Sequence, residues 1–146
     1  MKVIIKKLPH GADLPLPHYA TPGSAGLDLL AATDKEIELA PGARMAVPTG
    51  IAIALPGGYE AQIRPRSGLA LNHGITLLNA PGTVDSDYRG EIKVIVINLG
   101  QTEFRITRGM KIAQLIVARH EEIELIETGE LPSTSRASGG FGSTGH

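Results

Sequence analysis

The chain has 146 residues, 42% of them hydrophobic, with 14 basic and 15 acidic side chains for a net charge of −1. That length suggests one domain with a core, and the balanced charge argues against a general nucleic-acid or membrane-surface binder, which needs a basic field. There is no cysteine, so disulfides, zinc–thiolate sites and cysteine nucleophiles are excluded.

The first segment, "MKVIIKKLPHG", holds three apolar residues in a row before Lys6 and Lys7. That is too few for a signal-peptide core. No apolar run approaches membrane-spanning length, so the expectation is a soluble cytoplasmic protein. Glycine (18) and proline (10) are frequent and aromatics are 3% of the chain. Such punctuation predicts many short segments joined by turns.

The segments rich in valine and isoleucine read as strands. In chain order they are "KVIIK" (2–6), "GLDLLAA" (26–32), "EIELA" (36–40) and "RMAVPTGIAIALP" (44–56), the last split at Pro48–Gly50. "YEAQIRP" (59–65) alternates. One or two turns of helix are predicted near "SGLALNHG" (67–74). "EIKVIVINLG" (91–100), "EFRITRG" (103–109) and "KIAQLIVARH" (111–120) complete the set. The pattern is all-β: a sandwich, jelly roll or closed barrel. The body is expected over 1–126 and an arm over 127–146.

In "EIKVIVIN", Ile92, Val94 and Val96 share one face by the two-residue period. Ile95 and Ile97 on the other face are apolar too. A strand apolar on both sides needs cover on both, from its own core or from another subunit.

Several short stretches could carry chemistry. In "GTVDSDYRGE" (82–91), Asp85 and Asp87 could activate water or hold a hard cation; the alternative is an ordinary Asp-rich turn ending at Gly90. In "RPRSGLALNHG" (64–74), Arg66, Ser67 and Gly68 suit a phosphate; the alternative is a helix capped by Ser67. Asp28 interrupts an apolar run, and by itself reads as the wet face of a strand. Gln114 stands in an apolar strand, either to orient a water or phosphate or as an edge polar residue. His10, His18, His73, His120 and His146 lack metal-ligand spacing and read as structural or exposed. Neither phosphate-binding glycine fingerprint is present, nor a G-x-S-x-G nucleophile turn. The tail "SRASGGFGSTGH" (135–146) carries Arg136, Phe141, Ser143, Thr144 and several glycines. It is either an untied end or a lid.

Five stretches in order, "AGLDL" (25–29), "RPRSGLA" (64–70), "GTVDSDYRGEIKV" (82–94), "RGMKIAQLIV" (108–117) and "RASGGFGSTG" (136–145), resemble the five motifs of the trimeric dUTP pyrophosphatases (dUTPases). The resemblance implies a distorted jelly-roll β-barrel with one short helix and a flexible C-terminal arm, assembled as a homotrimer with active sites shared among the subunits. It implies Mg²⁺-assisted hydrolysis of dUTP to dUMP and pyrophosphate by water attack at the α-phosphorus. Such an activity limits uracil in DNA and supplies dUMP for dTTP synthesis. No direct nucleic-acid or membrane contact is implied.

By the same resemblance Asp85 orients and deprotonates the attacking water. Arg66, Ser67 and Gly68 form the phosphate-binding turn. Asn79, Thr83, Val84, Asp85 and Lys93 form the uracil and deoxyribose pocket, and Tyr88 packs under the sugar and excludes a 2′-hydroxyl. Gln114 stands near the α-phosphate and the water. Asp28 helps hold the waters of Mg²⁺. In the arm, Arg136 grips the γ-phosphate and Phe141 stacks on uracil, while Gly142, Ser143 and Thr144 complete the contacts with substrate. The arm departs from the family at Ala137, where glycine is common; a positive φ there would cost about 1 kcal/mol.

The nearest rival is a dCTP deaminase, similar in fold. That reading requires a glutamate where Ile95 stands and an arginine where Leu71 stands. A non-enzymatic jelly-roll trimer would be expected to lack the acid or the arm, and both are present.

Overall fold

β-branched residues recur between glycine and proline breaks, so the chain folds into short antiparallel strands. The computed structural model describes residues 1–141. The strands are β1 (Ile4–Lys7), β2 (Leu27–Leu30), β3 (Ile37–Leu39), β4 (Arg44–Pro48), β5 (Ile51–Ala54), β6 (Tyr59–Arg64), β7 (Ile75–Leu77), β8 (Gly82–Val84), β9 (Lys93–Asn98), β10 (Phe104–Ile106) and β11 (Lys111–Arg119). One helix, α1 (Ser67–His73), and a 3₁₀ turn (Pro9–Gly11) complete the described residues.

The strands form four antiparallel sheets, ordered β2-β11-β6-β8, β4-β9-β7, β1-β5 and β3-β10. Their inner faces meet in one core around Leu29, Val47, Ile53, Ile63, Val94 and Ile106. This is the expected distorted jelly roll.

Two strands escape the sequence pattern. β7 and β8 have three residues each and are separated only by a short turn through Asn79 and Pro81, outside any valine- or isoleucine-rich run. They exist because β9 and β6 pair with them: Leu77 opposes Val96, and Thr83 opposes Gln62. The helix stops where expected, at Gly74 with φ +68. The last strand ends at Arg119, and residues 120–141 form no strand; Ile123, Leu125, Ile126 and Leu131 are exposed.

The two apolar faces of β9 are treated differently. Ile92, Val94 and Val96 are buried, whereas Ile95 is 36% exposed. This chain covers one face only.

The 3₁₀ turn is held against the β4–β5 turn by a glycine contact. A Cβ on Gly50, whose φ is +68, would lie 2.5 Å from Gly11 Cα. Gly42, with φ +78, has open space around it. Gly50→Ala therefore combines a left-handed backbone with a steric clash and is expected to cost about 3 kcal/mol. Gly42→Ala bears the backbone term alone, about 1 kcal/mol. Urea unfolding at one fixed protein concentration measures both, and equal costs would refute the contact.

Candidate active site

β8 delivers Asp85. The strand ends at Val84, and a turn follows in which Tyr88 N–H donates to Asp85 O (3.2 Å). The turn alternative for the Asp-rich stretch is thus correct for its backbone. It does not remove the acid from a site. Asp85 borders a cavity of about 350 Å³, together with Asn79, Thr83, Val84, Tyr88 and Lys93. The residues of the body expected around base and sugar border one cavity, with Ile63 and Ile95 adding apolar wall, whereas Phe141 does not border it. β8 pairs with β6 along one edge. The Tyr88 hydroxyl donates to Glu91 O at 3.0 Å.

A second cleft, about 240 Å³, is bordered by Arg66, Ser67, Gly68, Asn72, His73 and Gln114. Arg66, Ser67, Gly68 and Gln114 are thus together, without Arg136. Ser67 does not cap α1: Arg66 occupies the N-cap position, with an extended backbone, and no side chain caps that end. The capping alternative is overturned.

Asp28 corrects its bare sequence reading. It is 7% exposed, not on a wet face. Arg66 Nε lies 3.1 Å from Oδ1 and Lys111 Nζ lies 2.8 Å from Oδ2. Arg66 Nη1 also donates to Lys111 O (3.2 Å). Burial alone would raise the Asp28 pKa, but the Lys111 hydrogen bond and the Arg66 and Lys111 charges outweigh it and hold the carboxyl below its ordinary range. Gln114 stands opposite Asp28 on one side and Arg64 on the other.

Cavity and cleft share no lining residue. Arg136 Nε donates to Gly139 O within the tail, and Phe141 is fully exposed. Neither Arg136 nor Phe141 borders the cavity or the cleft. Ala137 does adopt a positive φ, +44. Its N–H donates to both the carbonyl and the hydroxyl of Thr134, each at 3.1 Å. The expectations for Gly142, Ser143 and Thr144, and for His146, fall outside the described residues.

Among the described residues no three His, Asp or Glu side chains converge as a metal site. His10 is bonded to Glu91, and His73 packs against Phe104 with ring centres 5.1 Å apart. Sequence reasoning assigned no role to Glu91, which borders the cavity, or to Lys111, which grips Asp28. Both stand inside the quoted motifs, but their contacts depend on strand register and a bulge between Lys111 and Ala113.

A depressed carboxyl stabilises the fold above the ordinary carboxylate pKa, about 4, and loses that contribution as pH falls through the folded-state value. Asp28→Asn should therefore lower Tm at pH 7, and the gap from the parent should close below about pH 4. A gap independent of pH would show that the charges of Arg66 and Lys111 are not its source.

Comparison with known proteins bears on this arrangement. A family model described as dUTPase matches residues 12–145. The chain is 61% identical over 138 residues to a deoxyuridine 5′-triphosphate nucleotidohydrolase of Neorickettsia sennetsu, covering 94% of this chain and 93% of that one. It is 57% identical to one of Anaplasma marginale, covering 99% of each. Among solved structures, the dUTPase of Staphylococcus bacteriophage 80alpha with dUPNHPP superposes with a TM-score of 0.89 at 22% identity, covering 99% of each chain. A mutant dUTPase from phage phi11 of S. aureus, described with a structural Mg(II) ion, gives 0.80 at 19% identity over 89% of this chain and 98% of that one.

Proposed function

The chain belongs to the dUTPase family, and we propose that it hydrolyses dUTP to dUMP and pyrophosphate with Asp85 as the general base. The observation that carries the reading is the acid's place: Asp85 borders a base-sized cavity whose other walls are Asn79, Thr83, Tyr88 and Lys93. Its volume, about 350 Å³, falls in the range of small-molecule sites.

Asp85 takes a proton from a water as the water oxygen bonds to the α-phosphorus. The bond from that phosphorus to the bridging oxygen breaks, and pyrophosphate leaves with the bonding pair. Uracil is read by backbone groups of Thr83, Val84 and Lys93 and by Asn79, and Tyr88 leaves no room for a 2′-hydroxyl. Arg66, Ser67 and Gly68 receive phosphate oxygens, and Gln114 orients the water or the α-phosphate. Arg136, Phe141, Gly142, Ser143 and Thr144 close the arm over the substrate. Positioning and charge stabilisation supply most of the catalysis in phosphoryl transfer.

Mg²⁺ would enter with the triphosphate and keep most of its waters, as this ion dehydrates reluctantly. Bound with the triphosphate, Mg²⁺ would supply neutralisation of phosphate charge. Asp28 is the carboxylate of this chain that would meet its waters.

The separation of cavity, cleft and tail supports a homotrimer with sites built by neighbouring copies. So does the exposed apolar surface of Ile95, Met45 and Leu78. Deamination has no support: Ile95 borders the cavity and holds no proton. No helix is long and apolar enough to cross a membrane among the described residues; location in the cytoplasm is part of the proposal.

³¹P NMR of the protein with Mg²⁺ and, separately, dUTP, dTTP, dCTP and UTP should show pyrophosphate from dUTP alone. Orthophosphate would mean attack at the γ-phosphorus and would overturn the mechanism. Asp85→Asn should lower kcat by about 10³-fold, the scale of a lost general base, while dUTP binding persists. Near-normal turnover would remove Asp85 from that role.

A further inference from the structure

Beside Tyr88 the cavity is braced by Glu91, on its border, and by His10 behind it. Tyr88 folds back over Gly90 so closely that a Cβ there would lie 2.3 Å from the Tyr88 hydroxyl. That hydroxyl donates to the Glu91 carbonyl at 3.0 Å. The tyrosine ring is therefore tied to the backbone of Glu91.

Glu91 is held at its carboxylate. Oε1 accepts from Gly50 N–H at 2.9 Å and lies 2.7 Å from His10 Nε2. A carboxylate oxygen only accepts, so His10 carries its proton on Nε2. Lys93 Nζ stands 4.0 Å from Oε2, and the Lys93 side chain borders the same cavity. The next residue is tied to the same turn: Ile92 N–H donates to Ile51 O (2.9 Å), and Thr49 Oγ1 donates to Ile92 O (2.5 Å). His10 is itself fixed. Its 3₁₀ turn rests on the Gly11–Gly50 contact, and Arg108 Nη2 donates to His10 O (2.6 Å).

We propose that His10 and Glu91 are positioning residues that set discrimination between deoxyribose and ribose, by fixing Tyr88 and Lys93 through the Glu91 anchor. The proposal rests on the reading of Tyr88 as the sugar-selecting ring. Neither side chain touches the reacting atoms. The chemistry at Asp85 should therefore be spared while the fit of the sugar changes.

The experiment measures kcat and KM for dUTP and for UTP in the parent, Glu91→Ala, Glu91→Gln and His10→Ala proteins, with Tm recorded for each. Glu91→Ala should raise KM for dUTP and lower the dUTP-to-UTP ratio of kcat/KM, each by about tenfold, the scale of one lost charged hydrogen bond; kcat should stay within about threefold. Glu91→Gln keeps an acceptor for Gly50 N–H and should recover most of the ratio. His10→Ala should lie between them. If Glu91→Ala does not fold, His10→Ala carries the same test, since the Gly50 bond to Glu91 survives in it. A lowered Tm with an unchanged ratio would overturn the proposal and leave the pair a merely structural brace. So would a fall in kcat at unchanged KM. Failure of the parent protein to hydrolyse dUTP would instead defeat the functional reading beneath it, before any variant is compared.

Discussion

The register of β9 is the constraint on which most of this molecule depends. Val94 and Val96 are fully buried, while Lys93 and Ile95, on the opposite face, border the cavity. A slip of one residue would exchange these two sets. β4 and β7 flank the strand and lock the pairing, with Val47 opposite Val94 and Leu77 opposite Val96. Core and cavity thus share one backbone. The turn that carries Asp85 and Tyr88 joins β8, paired with β6, to β9 in another sheet, so paired strands hold both its ends.

The opposite side of the site is organised by charge. A buried carboxylate is costly unless it is paired, and Asp28 is paired twice, with Arg66 and Lys111. Arg66 arrives from the start of α1, Lys111 from β11 and Asp28 from β2. The ion cluster therefore ties three elements together beside the cleft that holds Ser67 and Gln114. It also keeps the Arg66 guanidinium in place before any phosphate is present. Preorganisation of this kind lowers the ordering cost of binding an anion.

How far the sequence could be read follows from element length and from the range of each contact. β5 and β9 are long enough, and apolar enough, to announce themselves. α1 is bounded by Arg66 and by Gly74 with its positive φ, and its extent was legible. β7 and β8 are strands only because a neighbour pairs with them, and they stand outside any valine- or isoleucine-rich run. Asp28 was misjudged alone because its partners lie 38 and 83 positions away along the chain. The family resemblance assigned Asn79, Thr83, Asp85, Tyr88 and Lys93 to one pocket, and all five border one cavity, yet it gave no role to Glu91, whose partners His10 and Gly50 are distant in sequence. Local pattern reveals which residues recur; only pairing between remote strands reveals what holds them.

Ala137 shows the same limit in the tail, and it bears on how a shared site could close. Its φ of +44 is a conformation that glycine adopts freely and alanine at a cost of about 1–2 kcal/mol. Two hydrogen bonds to Thr134 hold it there, and Arg136 is bonded back to Gly139. The turn that presents Arg136 is therefore already formed without contact to the cavity or the cleft of its own chain. The proposed assembly from neighbouring copies would bring this preformed turn to a cavity and a cleft that share no residue. The ordering of such an arm would then need to fix few further dihedrals around Arg136, which offsets part of the strain stored at Ala137.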